Sequence, residues 1–204
     1  MPLSTTHALV PLAAAVAFAR KPVPWALLVV AAAAAAAPDL DTVAHRILRL
    51  PLTSVYAHRG FTHSLFFAIA VGCLASIFHR RLGARPLTVA VVVGASMASH
   101  GILDMMAKPG LPVAYLWPLT SDRLSADWRP IHAPEVQWAH LATELLPRLW
   151  SELWQLILPM VVAAVTIRAM RVLIGRGLDN SSSSNGTTEI KTSSLECGSR
   201  VDRP

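Results

Sequence analysis

Residues 22–38 read PVPWALLVVAAAAAAAP, with no Asp, Glu, Lys or Arg among them. Four further stretches lack the same four residue types: Met1 to Ala19, Gly60 to Phe78, Pro86 to Leu103, and Leu153 to Ile167. Each reads as a membrane helix. Each is also at or below the roughly 20 apolar residues that a perpendicular span requires, so some are expected to thin the bilayer or to end among the headgroups. The whole chain agrees with this reading. Of its 204 residues 53% are apolar and 15% charged, whereas soluble domains carry about 25% charged residues. Alanine-rich faces let membrane helices approach closely where no hydrophobic effect drives them together. The expected fold is therefore all-α, a multi-pass transmembrane bundle of about five helices.

The charges punctuate these stretches. An excess of 18 Lys+Arg over 12 Asp+Glu would suit a nucleic-acid binder if the cations formed one dense patch. Instead they fall at Arg20-Lys21, at Arg46 and Arg49, at Arg80, Arg81 and Arg85, and at Arg168, Arg171 and Arg176. That is loop charge flanking spans, and no nucleic-acid scaffold is expected as a partner. The two cysteines, Cys73 and Cys197, supply neither a disulfide framework nor a zinc-ribbon spacing. The first stretch has its basic pair after the apolar run, unlike a secretory signal, and is expected to be retained. Residues 1–177 read as one membrane domain. Residues 178–204 turn to Ser, Thr, Asn and Gly and read as a disordered polar tail. No internal repeat of fixed period is present.

Arginine placement predicts sidedness. With the Arg80 to Arg85 loop in the cytoplasm, alternation puts the Arg20-Lys21 loop and the Arg168 to Arg176 end on the same side. The opposite side then receives His7, Asp39, Asp41, His58, His63, His100 and Asp104. Basic residues alone fix that sidedness, so the gathering of seven ionisable groups at one face is independent of it. Burying so many at a bilayer edge costs free energy unless they are paired or bind metal.

Local spacing supports a shared site. His100 and Asp104 lie one helical turn apart on one face. Pro38 interrupts the helix before Asp39-Leu40-Asp41, so an extended segment is expected to point both carboxylates inward. Gly60 allows a bend that leaves His58 in a loop and His63 in a first helical turn, with Thr62 as its cap. His45, four residues past Asp41, either joins the site or sits in a wet loop. His140 and Glu144 repeat the four-residue spacing. His79, beside Arg80, and His132 read as ordinary loop residues. Trp117, Trp128 and Trp138 read as interfacial anchors.

The run Ala57-His58-Arg59-Gly60-Phe61-Thr62-His63-Ser64-Leu65, together with Pro38-Asp39-Leu40-Asp41, Ser99-His100-Gly101-Ile102-Leu103-Asp104 and Tyr115-Leu116-Trp117-Pro118-Leu119, resembles the YdjM family of bacterial membrane-bound, metal-dependent hydrolases. The resemblance runs from about His7 to Ile131. It implies a multi-pass inner-membrane protein, and that family's distant similarity to zinc-dependent phospholipase C and P1-type nucleases implies phosphoester hydrolysis. By position, His7, Asp39, Asp41, His58, His63, His100 and Asp104 fall on the family's polar motif positions. Thr42 stands where the family often has a histidine.

Mixed His and Asp donors suit zinc or another first-row divalent ion, in one or more copies. Such ions acidify a water and hold phosphoryl oxygens while it attacks, with Asp39 or Asp41 available to take the proton. Arg59, and Arg123 or Arg129 in the long loop, are candidates to neutralise phosphate charge. Membrane lipid and a small or lipid phosphoester are the expected partners. The rival is a non-enzymatic membrane protein, either a metal or proton transporter or a bundle stapled by a structural metal. Transporters gather ionisable groups near the midplane on broken helices, whereas here they lie at one end.

Overall fold

The computed structural model describes residues 4–51, 53–132 and 141–175. Its helices are α1 (Ser4–Phe18), α2 (Trp25–Ala36), α3 (Asp41–Leu48), α4 (Leu65–Ser76), α5 (Pro86–Met105) and α6 (Leu141–Glu152). A π-helical segment, Leu153–Ile157, carries α6 onward into an apolar helix that reaches Gly175. The expected all-α bundle is present. Three helical runs are long and apolar enough to cross a membrane: Trp25–His45, Pro86–Met105 and Leu149–Gly175. Two shorter apolar helices, Thr6–Phe18 and Leu65–Ser76, pack beside them. The tail from residue 178, Trp138 and His140 lie outside the described residues, while Glu144 stands in α6.

Proline and serine set the helix starts. Pro86 opens α5, where its missing N–H is no loss and its fixed φ suits a first turn. Ser64 opens α4 by accepting a bond from the Phe67 amide at 3.1 Å. The cap is thus Ser64. Thr62, expected in that role, turns its hydroxyl instead to Asp41.

The core lies between α2, α4 and α5, where Leu27, Ala34, Ala68, Val89, Val93 and Met97 are buried. Val29, Phe66, Ile69 and Val91 face outward, as a helix must when its solvent is lipid. Gly72 on α4 faces Gly94 on α5, and a methyl at Gly72 would overlap the Ala90 carbonyl. Small residues here let two backbones touch.

A similar approach locates the functional end. A Cβ at Gly101 on α5 would stand 2.7 Å from the His63 carbonyl oxygen and 2.9 Å from the Tyr115 ring. The turn carrying His63 therefore rests directly on α5 beside His100. Gly101→Ala is expected to push that turn away and lower stability by about 1–3 kcal/mol, measured as the thermal melting of purified protein in detergent.

Residues 107–132 close this end. The short parallel pair β1 (Ala107–Lys108) and β2 (Ile131–His132) returns the segment to α5. Leu65 N donates to Tyr115 O at 2.9 Å, and Ala114 N to Arg59 O at 3.0 Å. Arg123 ties the layers together by donating to the Ser54, His58, Arg59 and Pro112 carbonyls.

Candidate metal centre

Five pieces of chain deliver side chains to one end of the bundle. They are the first turns of α1 (His7), the junction of α2 and α3 (Asp39, Asp41), the loop at His58, the turn Phe61–His63, and the last turns of α5 (His100, Asp104). All seven expected residues meet there. The route differs at two places. Asp39 lies in a 3-10 turn, Ala37–Leu40, that runs straight into α3, not in an extended segment. Pro38 sits at the start of that turn, where no N–H is required, so the proline reshapes the helix without straightening it. His63 ends a 3-10 turn ahead of α4, and the bend beside it falls on Arg59, at φ 64°.

Asp39, His63, His100 and Asp104 form the inner group, with one donor atom from each lying within 4.8 Å of all the others. His100 Nε2 is 3.4 Å from Asp39 Oδ1 and 4.0 Å from Asp104 Oδ2. His63 Nε2 is 3.6 Å from Asp104 Oδ2. A tetrahedral ion with bonds of about 2.0–2.1 Å places its donors about 3.3 Å apart, so the group closes on such an ion with shifts below about 1 Å. His100 aims Nε2 inward because its Nδ1 is held by the Ala35 carbonyl at 2.7 Å, an arrangement that fixes ring and tautomer for a metal. Buried and without a hydrogen bond among the described residues are His63 Nε2, His100 Nε2 and Asp104 Oδ1, while Asp104 Oδ2 has the Arg59 guanidinium as its counter-charge. Such atoms are costly unless something else binds them. Two imidazole nitrogens with two carboxylates form a donor set for zinc or a similar first-row ion.

Asp41 stands behind this group. It receives His58 Nδ1 at 2.6 Å, the Thr62 hydroxyl at 2.6 Å and the Arg59 amide at 3.2 Å, and it faces His63 Nδ1 at 3.2 Å. Thr42 adds a contact to His58 Nδ1 at 3.0 Å. The His63 ring thus presents one nitrogen to Asp41 and the other to the inner group. Asp41, His58 and His63 form a second triad of possible donors.

His7 stacks on His100 with ring centroids 3.8 Å apart, and its Nε2 is 3.9 Å from Asp104 Oδ1. Neither of its ring nitrogens makes a hydrogen bond among the described residues. Arg59 is 2% exposed, with Nε 3.0 Å from Asp104 Oδ2 and Nη1 donating to the Leu111 carbonyl. Arg129 donates to Ala126 O close by in sequence. His45 lies a turn beyond Asp41 in α3 and belongs to neither group. His79 is at the far end beside Ala84. Trp117 packs its edge against Phe61, and Trp128 is exposed.

Glu152 escaped the sequence reading. It is 1% exposed and accepts the Thr6 hydroxyl, next to His7, where α6 widens into the π segment. The available signal was a lone carboxylate inside the 27-residue apolar run Leu149–Gly175.

A family model described as YdjM inner membrane protein matches residues 1–177. Inner membrane protein YbcI of Escherichia coli (strain K12) is 35% identical over 132 residues, covering 64% of this chain and 76% of that protein. No solved structure matches the chain. With its apolar helices and its buried His and Asp residues at one end, the chain belongs to the YdjM family of inner membrane proteins.

Proposed function

We propose that this protein is a membrane-bound, metal-dependent hydrolase that cleaves a phosphoester of a small molecule or lipid. One observation carries the reading: buried His63, His100 and Asp104 converge with Asp39, and His63 Nε2, His100 Nε2 and Asp104 Oδ1 lack hydrogen bonds among the described residues. A zinc or similar ion bound there supplies a water acidified toward neutrality and a Lewis acid for a phosphoryl oxygen.

The residues divide the remaining work. Asp41 already holds His58, Thr62 and the Arg59 amide, so it orients His63 in the manner of an outer-shell carboxylate. Asp39, whose side chain is 8% exposed against 0% for His63, His100 and Asp104, stands on the less enclosed side. With His63, His100 and Asp104 as the residues that would hold the ion and the fourth position left to water, Asp39 is the carboxylate placed to take that water's proton. Arg59 balances the charge of Asp104 from within the protein and acts on substrate only through that partner. The test is elemental analysis of protein purified without chelator, followed by a screen of aryl phosphates, phosphodiesters and phospholipids before and after chelation. About one divalent ion per chain is expected, with hydrolysis that chelation abolishes and metal restores. Absence of metal overturns the reading.

The near-complete burial of the inner group favours one alternative, a structural metal that staples the bundle. In that case chelation lowers the melting temperature and no substrate is turned over.

The site is proposed to face away from the cytoplasm, opposite the basic loops. Single cysteines at the exposed positions Thr53 and Arg81, in a Cys73→Ala, Cys197→Ser background, test this. A membrane-impermeant reagent on intact cells is expected to label position 53 and spare 81. The reverse pattern moves the site to the cytoplasm.

A further inference from the structure

At the end of α1 opposite His7, about 16 Å along the helix, three cavities share lining residues. The largest, about 590 Å³, is a cleft between α1, α2 and α5. Its walls are mostly apolar, including Val10, Ala14, Phe18, Leu28, Val91 and Ala95. It runs from mid-helix toward the loop at Lys21, which lines both it and the next cavity, of about 390 Å³. Arg20 and Arg168 line that second cavity and also the third, of about 420 Å³, where Arg171 joins them.

The arginines are held in place. Arg168 and Arg171 each donate through Nη1 to a carbonyl at the end of α1, those of Ala19 and Ala17. These bonds use one of the five donors of each guanidinium. Among the described residues no carboxylate forms an ion pair with Arg20, Lys21, Arg168 or Arg171. An apolar slot at membrane depth thus opens into a cationic cradle at its outer end.

We propose that this cleft and its rim bind an anionic phospholipid, with an acyl chain between α1 and α5 and the phosphate against Lys21, Arg20 and Arg168. Charge complementarity selects the occupant. A zwitterionic lipid brings a cation to a rim that already carries several, and a free phosphate leaves the slot unfilled. The site is separate from the metal centre and does not depend on any hydrolytic activity there.

Binding of fluorescent phosphatidylglycerol to the full-length protein in nonionic detergent tests the proposal, with phosphatidylcholine and inorganic phosphate as competitors. Phosphatidylglycerol is expected to bind at least about tenfold more tightly than phosphatidylcholine, since each cation near the phosphate adds about fivefold. Arg20→Gln with Lys21→Gln is expected to weaken it roughly 25-fold. Ala95→Phe fills the slot at an exposed position and is expected to weaken binding of the long-chain lipid while leaving metal content and melting temperature unchanged. Equal affinity for the two lipids, displacement by inorganic phosphate at lipid-like concentrations, or unchanged binding in both variants overturns the proposal.

Discussion

Asp104→Ala is expected to cost the protein both its metal and much of its stability. Asp104 belongs to the inner donor group and also sits 3.0 Å from Arg59 Nε, with both side chains almost wholly buried. Loss of a direct donor should reduce metal affinity by more than the roughly 10–100-fold typical of outer-shell changes. Removing one member of a buried ion pair strands the other, at about 3–5 kcal/mol. For a chain of this size that is on the order of 10 °C in melting temperature. The two effects separate in the double variant Arg59→Leu, Asp104→Leu. With no stranded charge it should regain stability, since apolar replacement of a buried pair is often neutral or better, but it should still bind no metal. Metal at wild-type stoichiometry in Asp104→Ala would remove Asp104 from the centre.

His63→Ala and His58→Ala are expected to differ sharply although the two histidines lie in one short motif. His63 presents Nε2 to the inner group, whereas His58 turns Nδ1 to Asp41 at 2.6 Å. The first substitution should abolish metal binding and hydrolysis. The second, like Asp41→Asn, should leave the ion in place with affinity lowered about 10–100-fold. Competition with a chromophoric chelator measures this directly. Equal and complete loss in all three would instead mean that Asp41 and His58 hold a second ion, and that His63 serves both.

The amino-acid sequence carried the bundle because the cost of placing charge in hydrocarbon is paid locally. A stretch such as residues 86–103, free of Asp, Glu, Lys and Arg, announces a helix whatever surrounds it. The same logic brought His7, Asp39, Asp41, His58, His63, His100 and Asp104 to one end, since helix direction alternates and each residue's distance from its helix end is known. It also overlooked Glu152, because one carboxylate looks like the border of an apolar run until Thr6 is seen donating to it.

Ranking within the cluster was beyond the sequence. Asp39 and Asp41 are two residues apart and chemically identical, yet one faces His100 and the other is surrounded by His58, Thr62 and the Arg59 amide. The difference arises from a 3-10 turn entering α3 and from the loop carrying His58 and Arg59, which folds back onto Asp41. The same holds for Arg59, whose place in the motif suggested a substrate contact and whose burial against Asp104 makes it an internal counter-charge. What a residue is, and which end of a span it occupies, follows from local composition and the length of a helix. Which atoms it meets depends on contacts between segments far apart in the chain, and only close packing, as at Gly101 against the His63 carbonyl, decides them.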